Sequence, residues 1–414
     1  MDIPRLIPIE RHFPDYHLHD LAGAIRAEFH RAGPPIAGGA RIAVAVGSRG
    51  LANLPLIVRT VVDCVKEAGG RPFIVPAMGS HGGATPEGQL GVLEGYGVTE
   101  DFIGAPIESS LAVAELPRGD LPNRVYMDRR AFEADGTIVI NRVKPHTDFH
   151  GPIESGIMKM CVIGLGKHAQ ALEIHRFGVY GLRELIGPTA RQVLKHGRIL
   201  LGLGLVEDAH EQTAMVRAVR PAEFEEVEAI LLAESRRLMP GLPVDNLDVL
   251  IVDEMGKEIS GTGLDTNVIG RMRMKFEPEP DRPRITNIVV CDLTDASHGN
   301  ALGVGLSDFI TRRLYEKIDF RATYENVITS TNLERGKLPI VAECDRQAIG
   351  YALRTCGPVA PLDAGIIRIK NTLRLSEMLV SRPVLAALAG REDVAITGEE
   401  RETVDAGGNL SEVW

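Results

Sequence analysis

Four side chains able to move a proton, anchor a cofactor or bind a metal fall in order along the first half of the chain: His81, His146, Lys159 and His175. His81 lies in GSHGGATPEG, whose glycines let a main chain come close to a ligand. Alone, that segment is equally a flexible turn with an exposed histidine. The run from Asn141 to His175 is richer, with four histidines, three lysines, Asp148 and Glu154 among many glycines. Pro145 restricts the backbone just before His146, which suits a residue that must be held still. Imidazole changes charge near neutral pH and is a common metal ligand, so acid/base work and metal binding are both open to this set. Asp148 and Glu154 could orient a histidine by accepting its second ring proton. His150, Lys167 and His168 read as supporting or surface groups.

Cations that could hold an anionic ligand occur elsewhere. Arg49, in VGSRG, offers a planar fork suited to a carboxylate, although a surface arginine would look the same. A second glycine-rich stretch, MGKEISGTGLDTNVIGRMRMK, contributes Arg271, Arg273 and Lys275. A rival arrangement is His146, Asp148 and His150 as a divalent-metal site, which would require a bend or a shared strand face. Several common chemistries are absent: there is no GxGxxG after the first strand, no GxxxxGK[ST], no HExxH and no GxSxG. Cys161, in the apolar MKMCVIG, reads as a buried structural thiol.

These residues need a scaffold, and the pattern supplies an α/β one. RIAVAV (41–46), PFIVPA (72–77), GTIVINRV (136–143) and ILLGLGLV (199–206) are short β-rich runs, each ending near a loop. LDVLIVD (247–253), ITNIVVC (285–291) and GIIRI (365–369) repeat that design. Leu54–Glu67 has helical spacing, Pro86 suits a first helical turn, and Pro221–Arg237 is a long helical segment. Such alternation predicts mostly parallel sheets, with ligands gathered at the strand C-termini. The 414 residues exceed one ordinary core, and MPGLPVDN (239–246) reads as the junction. The expectation is two α/β domains, 1–243 and 244–414, with the active site in the cleft between them. The last stretch of roughly 30 residues is expected to pack back on the first domain, since termini often meet.

The net charge of −10 argues against a nucleic-acid surface, and no run is apolar enough for a membrane span. Five scattered cysteines form no framework, and the N-terminus lacks a signal-like apolar run, so a cytoplasmic location is expected.

Taken together, GSHGGATPEG, NRVKPH, ESGIMK, GTGLDTN and the sixteen-position step from Lys159 to His175 resemble the nickel-pincer lactate racemase family. The resemblance runs through most of the chain in order. It implies an isomerase, a racemase or epimerase of hydroxy acids. Lys159 would carry a nickel-pincer nucleotide, a pyridinium mononucleotide with nickel, and His175 would bind that nickel. His81 and His146 would be the acid/base pair, with Arg49 and Arg273 on the substrate. The implied chemistry is reversible oxidation: a histidine takes the hydroxyl proton while the C–H hydrogen leaves as hydride to the cofactor ring and returns on the other face. Implied partners are a small hydroxy acid and cofactor-maturation enzymes, without which the protein would be apo; a homo-oligomer is also expected. The chain departs from the family where an acidic residue is usual, at Val46, and where a glutamine is usual, at Gly270. Both changes are expected to alter substrate contacts, which widens the substrate from lactate to a related 2-hydroxy acid or sugar-acid-like compound. The open alternatives are a metal hydrolase built on His146, Asp148 and His150, and a cofactor- or metabolite-binding protein without turnover.

Overall fold

The computed structural model describes residues 2–48, 50–275 and 277–414. The chain is α/β and divides into two units, residues 15–239 and residues 1–14 together with 240–414. The first strand, β1 (Ile7–Arg11), belongs to the sheet of the latter unit.

Residues 15–239 contain β2 (Arg41–Val46), β3 (Arg71–Pro76), β4 (Val113–Leu116), β5 (Val125–Asp128), β6 (Gly136–Arg142), β7 (Ile199–Glu207) and β8 (Thr213–Val219). Five of them form a sheet in the order β3-β2-β6-β7-β8, while β4 and β5 make a separate antiparallel ribbon. β2 pairs in parallel with β3 and β6, and β6 with β7; β8 returns antiparallel. Period-two alternation sends Ile42, Val44 and Val46 into one core with the helices Leu21–Ala32 and Leu54–Glu67. Ala43 and Ala45 face the opposite core, which holds Met158, Met160, Cys161 and Val162. Both sheet faces are therefore covered, as a parallel sheet requires. The small alanines on that second face admit the Lys159 segment close to the strands.

In the other unit lie β9 (Asn246–Val252), β10 (Arg284–Val290), β11 (Phe309–Thr311), β12 (Ile340–Ala342), β13 (Ile366–Ile369), β14 (Glu377–Val380) and β15 (Val394–Ile396). With β1 they form a sheet ordered β12-β11-β10-β9-β13-β14-β1-β15. β12, β11, β10, β9 and β13 run parallel; β14, β1 and β15 continue it antiparallel.

Here the expected boundary needs correcting at the N-terminal end. Residues 1–14 do not belong with 15–239, because β1 supplies the strand between β14 and β15. The last residues pack on this first segment: β15 pairs with β1, and Arg401 bridges Leu6. A five-residue half-buried strand carries too little pattern to reveal a partner nearly 400 residues away. Among the described residues no helix is long and apolar enough to cross a membrane.

Candidate active site

The strand ends of residues 15–239 deliver most of the predicted groups. β2 leads into the segment containing Arg49, which lies outside the described residues. After β3 comes the His81 loop, and after β6 the loop containing His146. Lys159 and His175 follow on a helical run: Ile157–Lys159, a widened π-type turn at Met160–Gly164, then Lys167–His175. Such wide turns recur at functional sites because they offset the side chains on either side.

The loop of residues 144–155 is closed at its base by paired main-chain bonds between Lys144 and Ser155. Inside it, the fully buried Glu154 carboxylate accepts the His146 amide at 2.6 Å and the Gly151 amide at 2.9 Å. The His150 Nδ1 lies 3.2 Å from the same carboxylate, which also pairs with Arg236. Burial would raise the Glu154 carboxyl; the contacts from His150, His146, Gly151 and Arg236 outweigh it and hold the group below the usual carboxylate range. Phe149 plugs the loop into the core, with its ring centroid 4.7 Å from that of His146. The His146 Nδ1 accepts the Asp148 amide at 3.0 Å, so the neutral ring carries its proton on Nε2.

Glu154 thus orients His150 and the His146 backbone rather than the His146 ring. The Asp148 amide meets that ring at Nδ1. His150, 41% exposed at its side chain, is tied to Glu154, and among the described residues no three His, Cys, Asp or Glu side chains converge as metal ligands. The hydrolase arrangement of His146, Asp148 and His150 finds no support in this geometry.

His175 is half-buried at the end of its helix. Burial pushes its imidazolium below the usual histidine range, the Lys159 charge adds to this, and Asp148 opposes it. Lys159, His175 and the His146 loop therefore share one electrostatic neighbourhood. A half-buried imidazole and a half-buried amine on one helical run are the donor types that a lysine-tethered, histidine-ligated metal group requires. The residues fit such a group.

Lys159 is positioned from beneath. The Glu228 carboxylate accepts the Met158 amide at 2.8 Å, capping the helical segment that ends at Lys159. Burial raises the Glu228 carboxyl to about 7, partly offset by the Met158 and Ile157 amides. Asn141 donates to the Gly156 carbonyl at 2.8 Å and fixes the approach to that segment. His81 is exposed, and its loop is held by Gln89, which donates to the carbonyls of Gly79 at 3.0 Å and His81 at 3.4 Å.

Neither Glu228 nor Gln89 was singled out in the sequence. A signal existed for Glu228, which falls in the stripe Phe224, Leu231, Ser235 of an otherwise amphipathic helix, where a carboxylate must be capping something. Gln89 likewise shares a buried stripe with Leu93.

Arg273 lies in the other unit, where it pairs with Asp308 at 2.9 Å; Arg271 meets the same carboxylate at 2.7 Å. The two departures from the family pattern also have structural causes. Val46 is fully buried in the sheet core. Gly270 ends a short helix at φ +60°, where an added side-chain carbon would collide with the Pro283 carbonyl. Packing accounts for the residue found at each position. Cys161 is buried, and burial drives its thiol far above the usual range, as befits a structural cysteine.

No family model matches the chain, and no curated protein matches it. Among solved structures it is similar to the lactate racemase apoprotein from Thermoanaerobacterium thermosaccharolyticum, at 14% identity and a TM-score of 0.48, over 90% of this chain and 99% of that one.

Proposed function

We propose that the protein is a racemase or epimerase of a 2-hydroxy acid or related hydroxy compound, working with a nickel-pincer nucleotide. Lys159 would carry that group covalently and His175 would ligate its nickel. When bound, the group supplies a reversible hydride acceptor. The observation that carries this reading is that Lys159 and His175, each half-buried, lie on one helical run interrupted by a π-type turn, at the strand end that also bears the His146 loop.

The chain's own residues then have distinct tasks. His81, on a glycine-flanked turn, accepts or returns the substrate hydroxyl proton on one side. His146 presents Nε2–H, so in this arrangement it donates a hydrogen bond to the substrate oxygen. To accept a proton at Nε2, the ring must first exchange its Nδ1 contact with the Asp148 amide for a protonated Nδ1. Arg49 is assigned to the substrate carboxylate, whose charge its planar fork would match. Arg273 is a second cation for the substrate, one that Asp308 already partly neutralises.

Intact-mass and nickel analysis of protein co-expressed with cofactor-making enzymes tests the reading, alongside loss of optical purity in a panel of 2-hydroxy acids. The expected result is a mass increment on Lys159, about one nickel per chain, and racemisation abolished by Lys159→Ala. An unmodified Lys159 without nickel, under conditions that load a known member of the family, defeats it. Nickel and the mass increment without turnover would instead identify a cofactor-binding protein.

A further inference from the structure

Lys167 is the one lysine with a fully buried side chain among the described residues, and the mechanism above leaves it unused. It opens the helix that ends at His175, in a left-handed backbone conformation at φ +56°. A non-glycine residue is rarely placed there unless its side chain has a task. The Nζ lies 3.0 Å from Asp128 Oδ2 at the end of β5. It also donates to the Pro76 carbonyl at the end of β3, and reaches Gln89 Oε1 at 3.4 Å. Gln89 in turn holds the Gly79 and His81 carbonyls. One cation therefore touches the start of the His81 loop, and touches through Gln89 the residue that fixes its middle.

The surrounding main chains are already as close as glycine permits. A side-chain carbon at Gly79 would meet the Ile163 carbonyl at 3.2 Å, and one at Gly164 would meet the Ala77 carbonyl at 2.8 Å. The π-type turn after Lys159 and the segment before His81 thus press on each other, with Lys167 as the polar tie. Burial pushes the Lys167 ammonium below the usual lysine range while Asp128 opposes this. A buried ion pair is a costly way to gain stability, since an apolar pair of similar size often does as well. What it adds is a fixed geometry.

We propose that Lys167 is a positioning residue, whose ammonium, gripping Asp128, Pro76 and Gln89 together, fixes the His81 loop against the helical run that carries Lys159 and His175. Its consequence for catalysis rests on the function proposed above; the tie itself does not.

The test compares wild type with Lys167→Met and with the double variant Lys167→Met/Asp128→Asn. The single variant strands the Asp128 charge and should melt lower. The double variant removes both charges, keeps the Asp128 Oδ1 acceptor for the Ala131 amide, and should recover the melting temperature. In both, amides of residues 77–85 are expected to exchange at least about tenfold faster than in wild type, with residues 144–155 unchanged. In enzyme loaded with the nickel-pincer nucleotide, kcat should fall about 100-fold with KM little altered, as expected when a catalytic group is misplaced rather than lost. A double variant with wild-type melting and wild-type exchange at 77–85 overturns the proposal, whatever its activity. Should it fail to fold, Gln89→Glu decides: it keeps a partner for Lys167 but loses both donors to the loop, and unchanged exchange there overturns the proposal too. If loaded wild type racemises nothing, the proposed function falls while the exchange measurement still decides the role of Lys167.

Discussion

The two histidine loops are built on opposite plans. Residues 144–155 carry their own brace: a bridged base, a buried Glu154 gathering two amides and a ring, and Phe149 anchored in the core. The His81 loop has short turns of its own and is held by Gln89 on the helix that follows it, which Lys167 contacts from the helical run. Strand position alone does not explain the difference, since both loops follow parallel strands of one sheet. The contrast teaches that each loop is held by a side chain eight residues on, but only the one that holds His81, Gln89, is in turn tied through Lys167 to the helical run bearing the other candidate residues. Perturbing that helix should therefore reach His81 first.

The comparison breaks most visibly at Glu154. Glu154→Ala should cost about 4 kcal/mol in urea unfolding, because two loop amides and Arg236 lose their acceptor. Its effect on amide exchange should stay within 144–155. Since the folded Glu154 carboxyl is held below its ordinary value of 4.5, its contribution is full above that pH and lost as pH falls through the lowered folded value. Glu154→Gln should therefore flatten the acid side of the stability profile. If wild type and variant lose stability in parallel on acidification, the brace is not ionic.

Glu228 touches the Lys159 segment but neither loop, which makes it the control. Its carboxyl rises from 4.5 to about 7 on folding, so its contribution is full below 4.5 and is lost as pH climbs through 7. Relative to wild type, Glu228→Gln should gain about 3 kcal/mol between pH 4.5 and pH 8, because glutamine never charges and still accepts the Met158 amide. A pH-independent difference would mean that the carboxyl titrates alike in the folded and unfolded chain, so that burial does not raise it.

How much of this was legible in the sequence follows the same division. β2, β6, β7, β9 and β10 were found within a residue or so at each end, because buried parallel strands read as unbroken apolar runs. β11, β12 and β15, at three residues each, are too short for a period to show, and β8 interleaves Met215 and Arg217 with its apolar residues. Within the site, the types and order of His81, His146, Lys159 and His175 were plain. The positions of their supports were not, because Gln89, Asp128, Lys167 and Glu228 act only once strands and helices from distant sequence are stacked together.

Smaller effects sharpen the contrast. Gln89→Ala should lower stability by only about 1–2 kcal/mol, since the Gly79 and His81 carbonyls can turn to water, yet it should loosen residues 79–81 selectively. Faster exchange in both loops would show that they are not independently supported.

The least effect is expected at His150. Its ring is substantially exposed and contributes one of several contacts to Glu154, so His150→Ala should cost less than about 1 kcal/mol. Glu154 would keep Arg236 and the two amides, and the His146 loop should hold its shape. Turnover by the cofactor-loaded enzyme should then change by less than about tenfold. That small effect separates two chemistries: a site built on His146, Asp148 and His150 would lose a metal ligand and with it nearly all activity. A near-silent His150→Ala beside an inactive Lys159→Ala places the working groups on the helical run, and leaves the inner face of the 144–155 loop as scaffold for His146.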